Sequence, residues 1–186
     1  MLFFVFHERW MRYLWCGVFM TLAALHGPAR DLLLLLRAKS LQLALAESCT
    51  GGLACAALTD IAGSSDVLER GFVTYSNASK ADMLGVDAEI IERFGAVSEE
   101  VALLMAQGAL ERSRAGVGAS ITGIAGPSGG SEQKPVGLVY FAVCVAGKST
   151  LSGERRFGDL GRHKARVQGV LALFALISRA VSTSCD

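Results

Sequence analysis

The alternation of short apolar runs, polar turns and helical patterns predicts an α/β fold, a three-layer α/β/α sandwich around a mixed, mostly parallel sheet of about five strands. Three observations carry this. Apolar runs at 41–46 and 117–122 break abruptly into glycine-rich polar turns. Helix-like segments separate the successive runs, so the strands they connect pair in parallel through right-handed crossovers. Late in the chain, 137–145 and 151–157 face each other across Ala146-Gly147-Lys148, which reads as an antiparallel hairpin.

Residues 1–27 differ in character from the rest, being apolar but interrupted by His7, Glu8, Arg9 and Arg12. The uninterrupted run 13–25 is short for a bilayer span, which needs about 20 residues. As an N-terminal extension it reads as a signal-peptide core, a disordered or membrane-surface piece, or an over-extended start. The last is favoured, with the true start at Met20. No stable membrane span is expected.

The domain, 28–186, is expected to open with Pro28 in a first helical turn and Asp31 complementing the helix dipole. Leu32–Leu36 predicts burial on more than one side. Strand one is 41–46, followed by a helix from Gly52 to Thr59. A second strand is read at 71–75, and Asn77 is a cap candidate for a short helix to Leu84. Asp87 and Ser98 cap helices over 88–94 and 99–112, and a last helix runs over 162–182.

Composition excludes some function classes. Lys+Arg number 18 and Asp+Glu 17, so no basic face for nucleic acid is announced. Cys16, Cys49, Cys55, Cys144 and Cys185 are odd in number and lack zinc-like spacing, as in reduced cytoplasmic thiols. Neither metal nor cofactor is implied.

Ligands on such sheets gather beyond the carboxyl ends of the parallel strands. Three polar turns lie there: Glu47–Gly52, Ser76–Lys80 and Gly123–Gly130. In the first, Ser48 is the candidate nucleophile and Cys49 its rival. Thr50 reads as a helix cap. Gly51 and Gly52 either admit a ligand to the backbone or serve only the turn's dihedrals. No histidine is well placed as a base, since His7, His26 and His163 lie in or beside the extension or in a charged stretch. Lys80 can serve if a helix N-terminus and burial against Tyr75 lower its pKa. The plain alternative is a solvated lysine on a helix face. The loop from Thr122 and Gly123 through Gly126 to Gly130 offers amides for a phosphate or oxyanion but lacks the Walker spacing.

Taken together, these segments resemble the CinA-type C-terminal domain, the nicotinamide mononucleotide amidohydrolase family, in its stand-alone form. The resemblance rests on Ala46-Glu47-Ser48-Cys49-Thr50-Gly51-Gly52, Gly63-Ser64-Ser65, Tyr75-Ser76-Asn77 with Lys80, Leu84-Gly85-Val86, Gly95-Ala96-Val97-Ser98, Thr122-Gly123-Ile124-Ala125-Gly126-Pro127 and Lys134-Pro135-Val136-Gly137. It covers about 29–181 and implies hydrolysis of the carboxamide of nicotinamide mononucleotide to nicotinate mononucleotide and ammonia, in pyridine-nucleotide salvage. Ser48, Lys80 and Tyr75 take the catalytic positions. Thr50, Gly51, Gly52 and Asn77 fall to substrate binding, with Thr122, Gly123 and Gly126. The family's Gly-Asp-Arg stands here as Gly158-Asp159-Leu160-Gly161-Arg162. A two-residue gap aligns Arg162 and Arg166 with its arginines, and both are expected on the substrate phosphate. The turn Cys49–Gly52 would hold the oxyanion. Two other readings remain: a non-catalytic nucleotide-binding or regulatory module, and an amidase on another pyridine or nucleotide amide. Homo-oligomerisation stays open.

Overall fold

The computed structural model describes the backbone of residues 5–148 and 150–183, with side chains from residue 22 onward. The readings placed on His7, Cys16 and Cys185 fall outside the described side chains.

Five strands, β1 (Leu43–Glu47), β2 (Leu68–Val73), β3 (Val117–Gly123), β4 (Leu138–Val145) and β5 (Leu151–Arg156), form one sheet in the order β2-β1-β3-β4-β5. β1 pairs in parallel with β2 and β3, and β3–β4 and β4–β5 are antiparallel. Only β4 therefore runs against the others. The expected mixed sandwich is what the chain forms.

Alternation along the strands sorts side chains between two layers. Leu43 and Leu45 of β1, Val117, Ala119 and Ile121 of β3, and Phe141 and Val143 of β4 share one core cluster with α1 (Val5–Ala38), α2 (Leu53–Thr59) and α6 (Arg162–Ser182). Ala44 and Ala46 turn the other way, beneath α3 (Asn77–Leu84), α4 (Ala88–Phe94) and α5 (Glu99–Glu111). On that face β3 presents Gly118, Ser120 and Thr122. A Cβ at Gly118 would come within 2.3 Å of the Ala106 carbonyl, so glycine is what lets α5 lie this close. Ser120 Oγ donates to Ala102 O at 2.6 Å, which satisfies a hydroxyl in a fully buried strand.

Length and hydropathy would let α6 cross a membrane. Here Val170, Leu173, Phe174 and Ile177 are buried in the core instead.

Several local expectations shift. Pro28 lies inside α1, which runs continuously from Val5, so it does not open the helix. Leu25, before it, is fully buried. β2 begins at Leu68, earlier than expected, and ends at Val73. Its charged Glu69 and Arg70 disguise it, yet they are ordinary on an exposed edge strand. The cap of α3 is Ser76, whose hydroxyl accepts from Ser79 N, with Ser79 Oγ returning to Ser76 N. Asn77 is thus the first helical residue. Asp87 and Ser98 cap α4 and α5 as expected.

Candidate active site

Hydrogen bonds past the strand ends hold the three turns level at the carboxyl edge. Thr74 N donates to Glu47 O at 2.8 Å and Ser48 N to Ile121 O at 3.0 Å. Between the turns lies a cleft of about 260 Å³. Ser48, Cys49, Tyr75, Asn77, Lys80, Thr122, Gly123, Gly126 and Arg162 all line it.

Lys80 is only 1% exposed, so it is not the solvated lysine of the plain reading. Its Nζ lies 3.2 Å from Ser48 Oγ, donates to Thr74 O at 2.9 Å and stands 3.5 Å from Ser76 O. Burial lowers its pKa below the ordinary lysine value, with the neighbouring Cys49 opposing weakly. As a neutral amine it can give its two protons to these carbonyls and turn its lone pair to the Ser48 hydroxyl. Tyr75 does not supply that burial, being 60% exposed. Its hydroxyl accepts from Arg162 Nη2 at 2.6 Å.

Cys49 is buried, and loss of water pushes its thiol up to about 12. Desolvation thus outweighs the helix terminus that would have activated it. Burial likewise raises the Cys55 thiol, helped by the adjacent Glu47.

Glu47 was missed as a site-building residue. It is fully buried, and its carboxylate accepts from Ala54 N at 3.1 Å and Cys55 N at 2.9 Å. Glu47, not Thr50, therefore caps α2, and the Thr50 hydroxyl is buried without a partner. A buried acid just before a glycine turn and a helix was the available signal. These two helix amides consequently serve Glu47 and do not face the cleft's chemistry. Gly51 N is also occupied, donating to Ser48 O at 3.1 Å.

Thr50, Gly51, Gly52 and Arg166 are not among the residues lining the cleft. Gly51 and Gly52 have φ of 58° and 88°, a left-handed backbone that glycine adopts without strain. Arg166 donates through Nε and Nη2 to Thr50 O at 3.2 and 2.6 Å, which ties α6 to the Ser48 turn. Arg162, one turn earlier, reaches the cleft and also donates to Gly126 O at 3.1 Å. Thr122 lines the cleft, but its hydroxyl donates to Ala96 O at 2.8 Å. Ala96 and Val97 complete that wall. Their small apolar side chains carry no chemistry of their own, and only the family motif Gly95-Ala96-Val97-Ser98 points to them in the sequence.

With this geometry in place, a model of the CinA C-terminal domain matches residues 26–181. The chain belongs to the CinA C-terminal domain family. Among family relatives, the nicotinamide-nucleotide amidohydrolase PncC of Enterobacter agglomerans is 47% identical over 153 residues, covering 82% of this chain and 91% of that protein. The PncC of Escherichia coli K12 is 57% identical over 111 residues, 60% of this chain and 67% of its own. A solved structure, the competence/damage inducible protein CihA from Agrobacterium tumefaciens, matches with a TM-score of 0.83 and 48% identity, covering 86% of this chain and 96% of that one. Other family members are much longer. The chain spans 27% of a Caldicellulosiruptor saccharolyticus relative and 34% of the CinA-like protein of Syntrophobacter fumaroxidans.

Proposed function

We infer that this chain hydrolyses the carboxamide of nicotinamide mononucleotide, giving nicotinate mononucleotide and ammonia in pyridine-nucleotide salvage. The observation that carries the reading is the buried pair, Lys80 Nζ at 3.2 Å from Ser48 Oγ, at the cleft of a domain whose relatives bear that activity in their names.

Ser48 Oγ attacks the carboxamide carbon while its proton passes to the neutral Lys80 amine. The oxyanion that forms needs donors already in place. The Cys49 amide suits this role, since it directly follows Ser48 in the turn and Cys49 lines the cleft. The Lys80 ammonium then gives its proton to the departing nitrogen, and ammonia leaves. Water, deprotonated by the same lysine, cleaves the acyl-enzyme to the carboxylic acid and restores Ser48. One amine thus serves as base and acid in turn.

Arg162 supplies the charged donor for the substrate phosphate, with the amides of the glycine-rich loop around it. Arg166 supports the turn instead. Tyr75 contributes by holding Arg162 at the mouth. The free thiols of Cys49, Cys55 and Cys144 support a cytoplasmic setting.

The test is ammonia release from nicotinamide mononucleotide by the purified chain. Wild type should release ammonia, and Ser48→Ala should not, while still binding the nucleotide in calorimetry. Binding without turnover by the wild type would sink the amidase reading, and an unchanged rate in Ser48→Ala would sink the nucleophile.

A further inference from the structure

Ala96 and Val97 line the cleft from the connector between α4 and α5, a segment with no regular structure of its own. Lys134, from the loop between β3 and β4, reaches across to this connector. Its Nζ donates to Phe94 O at 2.5 Å and to Val97 O at 2.7 Å. Phe94 ends α4, where exposed carbonyls carry partial negative charge and favour a cation. Among the described residues no carboxylate pairs with Lys134. Its side chain is half-buried and committed to these carbonyls, and it does not line the cleft itself.

The backbone around Lys134 is fixed as well. Lys134 N donates to Ser131 Oγ at 3.1 Å and Ser131 N returns to Lys134 O at 2.8 Å. The adjoining Val136 packs behind the glycine-rich loop. A Cβ at Gly126 would fall 2.6 Å from Val136 Cγ1, and one at Gly130 2.8 Å from Val136 N. One short segment therefore backs the glycine-rich loop and, through the lysine ammonium, grips the neighbouring wall.

We propose that Lys134 is a positioning residue that sets the width of the cleft by locking the Ala96–Val97 wall to the glycine-rich loop. Charge-assisted bonds to two carbonyls are stronger than neutral ones and fix the distance between the walls. The Ser48–Lys80 pair rests on β1 and α3, outside this lock. Loosening it should weaken the grip on substrate while leaving the reacting pair intact.

The experiment compares wild type with Lys134→Met, Lys134→Gln and Lys134→Arg by hydrogen–deuterium exchange and by kinetics. Lys134→Met should speed exchange in peptides spanning 91–101 and 124–138, with β1 and α3 unchanged. The KM for nicotinamide mononucleotide should rise about fivefold, as expected for coupling through a supporting segment, with kcat within about twofold. Lys134→Arg, which keeps a charge and two donors, should restore most of both. Lys134→Gln should give a smaller change in the same direction, and carries the test if the methionine variant does not fold. Unchanged exchange in both segments, or a kcat loss at constant KM, overturns the proposal. The kinetic arm rests on the amidase reading, whereas the exchange arm does not. A wild type inactive on the mononucleotide sinks that reading and leaves the exchange test standing.

Discussion

Burying an amine has a cost that depends on pH, and Lys80 carries that cost at the centre of the site. Its native pKa lies below the unfolded value of about 10.4. Between those two pKa values the unfolded chain binds the extra proton, so stability rises with pH across that window. Below the native pKa the penalty is fully present, and above the unfolded pKa it is gone. Lys80→Met removes the titration. Wild-type stability relative to this variant should therefore climb with pH inside the window, by at most about 1.4 kcal/mol per unit. Urea titrations at several pH values check this, and parallel curves would contradict it. The same depression sets the activity profile: with the neutral amine as the proposed base, the rate should rise with pH through the native pKa. The two arginines divide along similar lines. Arg162→Ala should raise the KM for the mononucleotide about tenfold while barely affecting the dephosphorylated riboside. Arg166→Ala should act on kcat, since its guanidinium holds Thr50 O two residues from Ser48, the proposed nucleophile. Equal KM effects from both would return Arg166 to the phosphate.

Short elements at this edge depend on their termini. α2 has seven residues and its cap residue, Gly52, offers no side chain. The α2 amides of Ala54 and Cys55 are satisfied by Glu47, at the end of a different element, β1. Glu47→Gln would set an amide donor against one of them, leaving a buried N–H unpaired. A loss of about 1–3 kcal/mol is expected, read as a lower urea midpoint at unchanged slope. An unaltered midpoint would show that water can replace the carboxylate. α3 illustrates the opposite economy, since the reciprocal bonds of Ser76 and Ser79 cap it from within.

Across the whole molecule, the core on the α1–α2–α6 side continues upstream of Pro28. Leu25 is fully buried there, and Leu22 packs against the same cluster. Proline is tolerated at residue 28 although the helix continues on both sides. Leu25→Ala should cost about 2–5 kcal/mol, as other large-to-small core changes do. Global unfolding measures it. A cost near zero would mean that the α1 segment before Pro28 does not belong to the folding unit.

Features governed by local chemistry can be read along the chain. Apolar runs ending in glycine turns gave the strands and the edge where ligands gather. Asp87 and Ser98 announced their helices because a cap acts within a few residues of itself. Ser48 stands out as a hydroxyl in a strand-to-helix turn, whereas Lys80 by itself reads more readily as a solvated lysine on a helix face, and only the family resemblance sets the two together. Features that depend on partners distant in the chain emerge only once the elements pack together. Whether Lys80 is buried, and by what, depends on strand ends and a helix meeting 32 positions from Ser48. That Arg162 faces the cleft while Arg166 grips Thr50 follows from the placement of α6 across 116 positions. β2 was obscured because its edge position permits charged side chains that erase the apolar pattern. The Ala96–Val97 wall is marked in the sequence only by the family motif Gly95-Ala96-Val97-Ser98, and the packing of the connector against Thr122 and Lys134 is what brings it to the site.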